Sequence, residues 1–258
     1  GIYANDKYPA DFIFDNLNIE VNIIQAAFEN KVKRFLFLGS SCIYPKLAPQ
    51  PLVESALMTG TLESSNEWYA IAKIAGIKMC DALRSQYKFD AISLMPTNLY
   101  GQRDNYHPQD SHVFASLIKK YSDATFLNKE KVICWGSGMP KREFLHVDDL
   151  ADASLFVLEN WSPSELNAPE DESGKPLTFL NVGSGIEVSI KELSEKIAKL
   201  SGFNGQTIWD STKPDGTPRK LLDSSQINKL GWRSKISLEQ GIIKTLKEYR
   251  TISNFDIK

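Results

Sequence analysis

Around residues 33–41 the chain reads RFLFLGSS, and this stretch constrains the fold more than any other. A short, almost wholly apolar run that stops at small polar residues is the pattern of a parallel strand buried on both faces. The residues that follow its end are therefore expected to carry function. Apolar residues Phe12, Leu17, Ile19, Val21, Ile23, Ile24, Ala27 and Phe28 recur mostly at helical spacing before it, which predicts an amphipathic helix over 9–30. After it the pattern predicts a helix over 68–83, a strand over 89–95, a polar loop with Pro96, Gly101, Pro108 and Asp110, and a helix near 113–121. Short strands follow at 131–135 and 143–147, then a helix opened by Asp148 and Asp149 that runs to Leu158. Residues 160–175 are rich in Pro, Ser, Asn, Glu and Gly and read as a surface insertion. Beyond it come a strand (177–182), a helix (190–200), a strand (207–210), the turn-rich loop KPDGTPRK (213–220) and two last helices. Such alternation predicts an α/β fold with a parallel sheet, in which ligands sit beyond the carboxyl ends of the strands.

Composition narrows the partners. The 258 residues carry 42% hydrophobic and 24% charged side chains, which excludes a disordered chain. Thirty Lys and Arg against 32 Asp and Glu leave a net charge of −2 and a pI near 6.0, with no basic footprint for nucleic acid. No apolar stretch approaches the ~20 residues needed to cross a bilayer, and residues 1–10 lack the layout of a signal peptide, so no membrane partner and a cytoplasmic location are expected. Cys42, Cys80 and Cys134, with three histidines and no CxxC pair, form neither a disulfide framework nor a zinc site.

A dinucleotide-binding sheet normally opens with strand, glycine-rich turn and helix, and nothing near residue 1 has GxGxxG. Gly183 and Gly185 follow a strand, but Ser189 three residues before Glu192 reads as a capping box that starts a helix only. The chemistry lies elsewhere. Tyr69 and Lys73 in YAIAK are four apart, so a helix brings both to one face, where the ammonium is expected to draw the phenol pKa down toward the working range. If strand alternation survives past residue 38, Leu36, Leu38, Ser40 and Cys42 share one side, and Phe37, Gly39 and Ser41 the other. A hydroxyl, a thiol and a Tyr–Lys helix at one sheet edge can polarise a carbonyl oxygen and deliver a proton to it. Cys80 and Cys134 read as core residues, and His107 and His146 as caps or surface groups.

Taken in order, LGSSCIYP, YAIAKIAG, MPTNLYG, DNYHPQDSHV, WGSGMPKREFLHVDD and KPDGTPRKLLD resemble the GDP-L-fucose synthase family of extended short-chain dehydrogenases/reductases. The resemblance runs through nearly the whole chain apart from 160–175. It implies an NADP(H)-dependent enzyme that epimerises C3 and C5 of GDP-4-keto-6-deoxy-D-mannose and then reduces the C4 ketone. Ser40, Cys42, Tyr69, Lys73 and His112 are then the catalytic group, with Cys42 the base, His112 the acid on the opposite face and Tyr69 the proton donor in reduction. Cofactor contacts are implied at Leu38, Gly39, Ser40, Ser41, Lys73, Pro96, Thr97, Asn98, Leu99 and His112. Contacts to the GDP-sugar are implied at Lys120, Trp135, Arg142, Asp215 and Lys220, where cations and an aromatic suit a pyrophosphate and a base.

The same resemblance implies a Rossmann-like parallel sheet over 1–110, incomplete at its start, and a smaller α/β substrate-binding domain over 111–258. Segments 143–160 and 177–182 are expected to return to the first domain. Because the family's first βα units would precede residue 1, a truncated record, a piece of a longer protein or help from oligomerisation is expected. The helix over 9–30 and the helix carrying Tyr69 have apolar residues to spare, consistent with a homodimer. Two other readings stay open: another extended nucleotide-sugar epimerase or dehydratase, and an inactive subunit that binds a GDP-sugar. A dehydratase would be expected to show an acidic pair where this chain has Ser41, Cys42 and Ile43.

Overall fold

A computed structural model describes residues 2–253 except 109 and 214. Two helices, α1 (Ile2–Lys7) and α2 (Pro9–Glu29), lead into strand β1 (Phe35–Leu38). Helix α3 (Glu67–Tyr87) and strand β2 (Ala91–Pro96) follow, and β6 (Phe179–Val182) completes a parallel sheet of order β1-β2-β6. All six residues of the central β2 are buried, as an apolar run with helices on both faces requires. Its alternate residues serve two cores. Ala91 and Met95 pack with Ile24, Phe37, Ile77 and Cys80 beneath α2 and α3. Ile92 and Leu94 pack with Val157, Trp161 and Ile227 under α5 (Val147–Asn160) and α7 (Ser225–Lys229). Each large apolar side chain buried this way contributes roughly 1.5–3 kcal/mol.

The rest of the chain builds around β5 (Lys141–His146), which pairs in parallel with β3 (Asn98–Tyr100) and β9 (Arg219–Lys220) and antiparallel with β7 (Glu187–Ser189). A further parallel pair, β4 (Lys131–Trp135) with β8 (Gln206–Asp210), turns Val132 and Cys134 inward and Trp135 outward. Helices α4 (Val113–Phe126), α6 (Ile190–Ser201) and α8 (Leu238–Ile252) close over a third core holding Phe114, Tyr121, Leu193, Ile197 and Ile242. Ser189 and Glu192 form the expected capping box at α6. Among the described residues no helix is long and apolar enough to cross a membrane.

Several expectations change. The strand from residue 33 stops at Leu38, because Ser40 caps a 3-10 turn over Ser41–Ile43, so alternation does not extend to Cys42. Pro96 ends β2 rather than starting a loop, and β3 follows at once; Pro and Gly punctuation hid both. The short strands β7 and β9 have too few residues to show a period of two. Within 160–175, Trp161 is fully buried, its carbonyl held with that of Leu158 by the Arg34 guanidinium. His146 is buried as well, and caps α5 by accepting from the Asp148 amide.

Candidate active site

The carboxyl end of β1 places the first functional group. Ser40 is extended, and its Oγ accepts the Cys42 amide at 3.2 Å, turning the chain into the 3-10 helix. Ser40 and Cys42 are therefore brought together by a capped turn. On α3, Tyr69 and Lys73 share a face as expected, with the Lys73 ammonium 5.7 Å from the Tyr69 ring centroid. Lys73 also donates to the Leu38 carbonyl at 3.1 Å, which ties the helix to the strand end. Gly76 one turn later lets α3 lie close, since a Cβ there would run into the Phe37 ring.

Cys42 faces this group. Asn66, just before α3, donates Nδ2 to the sulfur at 3.1 Å, and Lys220 donates Nζ at 3.4 Å. Burial would raise the Cys42 pKa, but the Lys220 charge and hydrogen bonds from Ser40, Lys220 and Asn66 bring it below the ordinary thiol value. Cys80 shows the contrast, for burial pushes its thiol up to about 12. Cys80 and Cys134 are both buried, as core residues should be.

The phenol behaves differently from the expectation. Burial first, and then the negative charge on Cys42, push Tyr69 up to about 12, against a smaller downward pull from its Ser40 hydrogen bond. Lys73 does not draw it down, because its ammonium is paired with the Glu20 carboxylate of α2 at 3.0 Å. Glu20 is only 5% exposed, and burial holds its pKa above the carboxylate value despite the Lys73 charge. A fixed cation beside a buried anion acts on third groups as a dipole, so the lysine's field at the phenol is largely cancelled.

Of the implied cofactor residues, Leu38 is 41% exposed at the strand end. Gly39, Ser41, Pro96 and Thr97 are buried, and Asn98 and Leu99 half-buried. Thr97 and Asn98 both donate to the Glu143 carbonyl, at 3.3 and 2.9 Å, tying this edge to β5. An open apolar side chain flanked by a lysine ammonium and a serine hydroxyl fits the nicotinamide and ribose end of a dinucleotide.

The implied sugar-nucleotide residues fall into two sets. Arg142 and Lys220 are paired neighbours on β5 and β9, and Arg142 is close enough to Cys42 to feel its charge. Trp135 stands on the rim at 56% exposure, with the ammonium groups of Lys120 and Lys213 each 5.6 Å from its ring. Asp215 holds the neighbouring turn by accepting from the amide and hydroxyl of Ser137 at 2.9 and 2.6 Å. His112 is exposed at the head of α4, with no side-chain cap bond. Glu20, Asn66 and Lys213 were not singled out by sequence reasoning. Only the position of Asn66, three residues before Tyr69, could have drawn attention.

Comparison with known proteins shows the family. Residues 1–168 match the model of the NAD dependent epimerase/dehydratase family, to which the chain therefore belongs as an extended short-chain dehydrogenase/reductase. It is 55% identical over 249 residues to GDP-L-fucose synthase 1 of Arabidopsis thaliana, covering 96% of this chain and 73% of that protein. With GDP-L-fucose synthase of Escherichia coli (strain K12) it shares 54% over 246 residues, 95% of this chain and 75% of the other. Among solved structures, MlghC, a GDP-mannoheptose C4 reductase from Campylobacter jejuni with NADP bound, superposes with a TM-score of 0.83 at 33% identity over 96% of this chain and 79% of that one. Within the family, the chain groups with the GDP-L-fucose synthases.

Proposed function

We propose that this chain is an epimerase-reductase that converts GDP-4-keto-6-deoxy-D-mannose to GDP-L-fucose. One observation carries the reading: a sulfur held by hydrogen-bond donors faces the Ser40–Tyr69 pair at the carboxyl end of a parallel sheet. The C4 ketone makes the C3 and C5 protons acidic. Cys42 as thiolate removes one: the C–H bond breaks, S–H forms, and the electron pair moves onto the ketone oxygen. The Ser40 and Tyr69 hydroxyls donate to that oxyanion, the kind of fixed stabilisation worth about 10²–10³ in rate. His112 returns a proton from the other face. In the reductive step NADPH, when bound, would supply the hydride, and Tyr69 would give its proton to the C4 oxygen. A phenol held near pH 12 parts with that proton only as oxyanion charge develops beside it.

Leu38 and the Pro96–Thr97–Asn98–Leu99 edge receive the nicotinamide, with Lys73 at the ribose. The preference for NADP(H) over NAD is supported by the NADP bound to the Campylobacter relative. Trp135, Lys120, Arg142 and Asp215 receive the GDP moiety, and residues 111–258 act mainly as the substrate-binding domain beside the dinucleotide-binding part, 1–110. A homodimer is supported by α2 and α3, which leave Phe14, Ile19, Ile23, Trp68 and Ile71 exposed, Phe14 at 66%.

The full chain, NADPH and the keto-sugar are to be incubated in heavy water. The expected product is GDP-L-fucose carrying deuterium at C3 and C5. A second reading, C4 reduction without epimerisation, is favoured by the likeness to a GDP-mannoheptose C4 reductase; it yields a GDP-6-deoxy-sugar with unlabelled, uninverted C3 and C5. Failure of the chain to oxidise NADPH in the presence of the keto-sugar would favour an inactive sugar-nucleotide-binding subunit.

A further inference from the structure

We propose that Lys220, assisted by Asn66, holds Cys42 as a thiolate and so sets the basicity of the group that removes the sugar proton. This deepens the reading above and rests on it for the sulfur's role. The resemblance placed Lys220 on the GDP-sugar, but its ammonium lies 3.4 Å from the Cys42 sulfur. Asn66 supplies a second donor at 3.1 Å while its own Oδ1 is buried without a hydrogen bond, so the amide is oriented toward a sulfur that accepts. A neutral thiol needs an acceptor for its proton, whereas a thiolate needs donors, and donors are what surround Cys42.

The arrangement is built rather than incidental. Cys42, Asn66 and Lys220 come from three separate segments, with the cysteine and the lysine 178 positions apart. Lys220 and the two residues after it are tethered. The backbone pairs with Arg142 of β5, the Leu221 amide donates to Gln50 at 2.9 Å, and the Leu222 amide donates to the buried Glu143 carboxylate at 3.1 Å. Among the described residues no carboxylate forms an ion pair with Lys220, so its charge is not cancelled as that of Lys73 is. The other titratable groups facing the sulfur are Tyr69 of α3 and Arg142 of β5. Tyr69 is neutral in the working pH range and Arg142 is a cation, so neither opposes the anion.

The test reads the sulfur directly. Alkylation of Cys42 by iodoacetamide is followed by peptide mass spectrometry across pH in the full chain, in K220M, K220R and N66A. K220M keeps the length of the stem without the charge and is expected to raise the midpoint by about one pH unit or more. N66A is expected to raise it by a smaller amount, and K220R to keep it near that of the unaltered chain. An unchanged midpoint in K220M overturns the proposal, as does a midpoint in K220R as high as in K220M. Because alkylation needs no sugar, its outcome is independent of whether the epimerisation takes place, which the heavy-water experiment decides separately.

Discussion

The floor of the site and its rim are built on opposite principles. At the floor, Ser40, Cys42, Tyr69 and Lys73 are half-buried and engaged with one another or with Asn66, Lys220 and Glu20. At the rim, Trp135 is mostly open, with the ammonium groups of Lys120 and Lys213 against its ring and Lys120 donating to the Ile133 carbonyl. On the proposed reading, the first part performs the chemistry and the second binds. Groups that must present a set protonation state are held by fixed partners before any ligand arrives, because preorganised dipoles need not rearrange as charge develops. Groups proposed to grip a flexible nucleotide remain open, and their expected contribution is affinity.

If that division is right, changes at the floor alter rate and changes at the rim alter affinity. Tyr69→Phe is the largest expected effect, a fall of about 10³ in ketone reduction, or roughly 4 kcal/mol, with KM for the GDP-sugar little changed. Steady-state NADPH oxidation measures it, and normal turnover would place the proton donor elsewhere. Next is Cys42→Ser, expected to suppress deuterium uptake at C3 and C5 about 10²-fold while sparing part of the hydride transfer. Uptake at the original rate, followed by mass spectrometry, would remove the sulfur from the reaction.

Trp135→Ala sharpens the other half of the comparison. KM for the GDP-sugar should rise about tenfold, near 1.4 kcal/mol, at constant kcat. A loss confined to kcat would show that the rim shares in chemistry. Glu20→Gln tests how the floor is balanced. Because the Glu20 anion adds to the upward shift of Tyr69 and pairs with Lys73, its removal should move the phenol's titration down from about 12 by about one unit. Ultraviolet difference titration against Tyr69→Phe reads this directly, and a midpoint that stays put or rises would mean that Lys73 has no hold on the phenol. Smallest of all, Lys120→Ala should raise KM about threefold, less so as salt is added, since exposed charges are screened.

The sequence by itself determined the strand and helix alternation, the pairing of Tyr69 with Lys73 on one helical face and the core role of Cys80 and Cys134. Each of these follows from local periodicity, and residues three or four apart on a helix meet whatever the rest of the chain does. It also placed Ser40 beside Cys42, though by the wrong device, because a hydroxyl capping a 3-10 turn leaves no periodic trace. Tertiary structure alone decided the electrical state of the site. Glu20 reaches Lys73 from a different helix, and Lys220 reaches Cys42 across 178 positions. Charge acts through space and depends on burial, neither of which is written in the spacing of residues. For that reason the neighbourhood of Ser40, Cys42, Tyr69 and Lys73 was legible in advance, whereas Glu20 and Asn66, and the protonation each group favours, became visible only once the chain was folded.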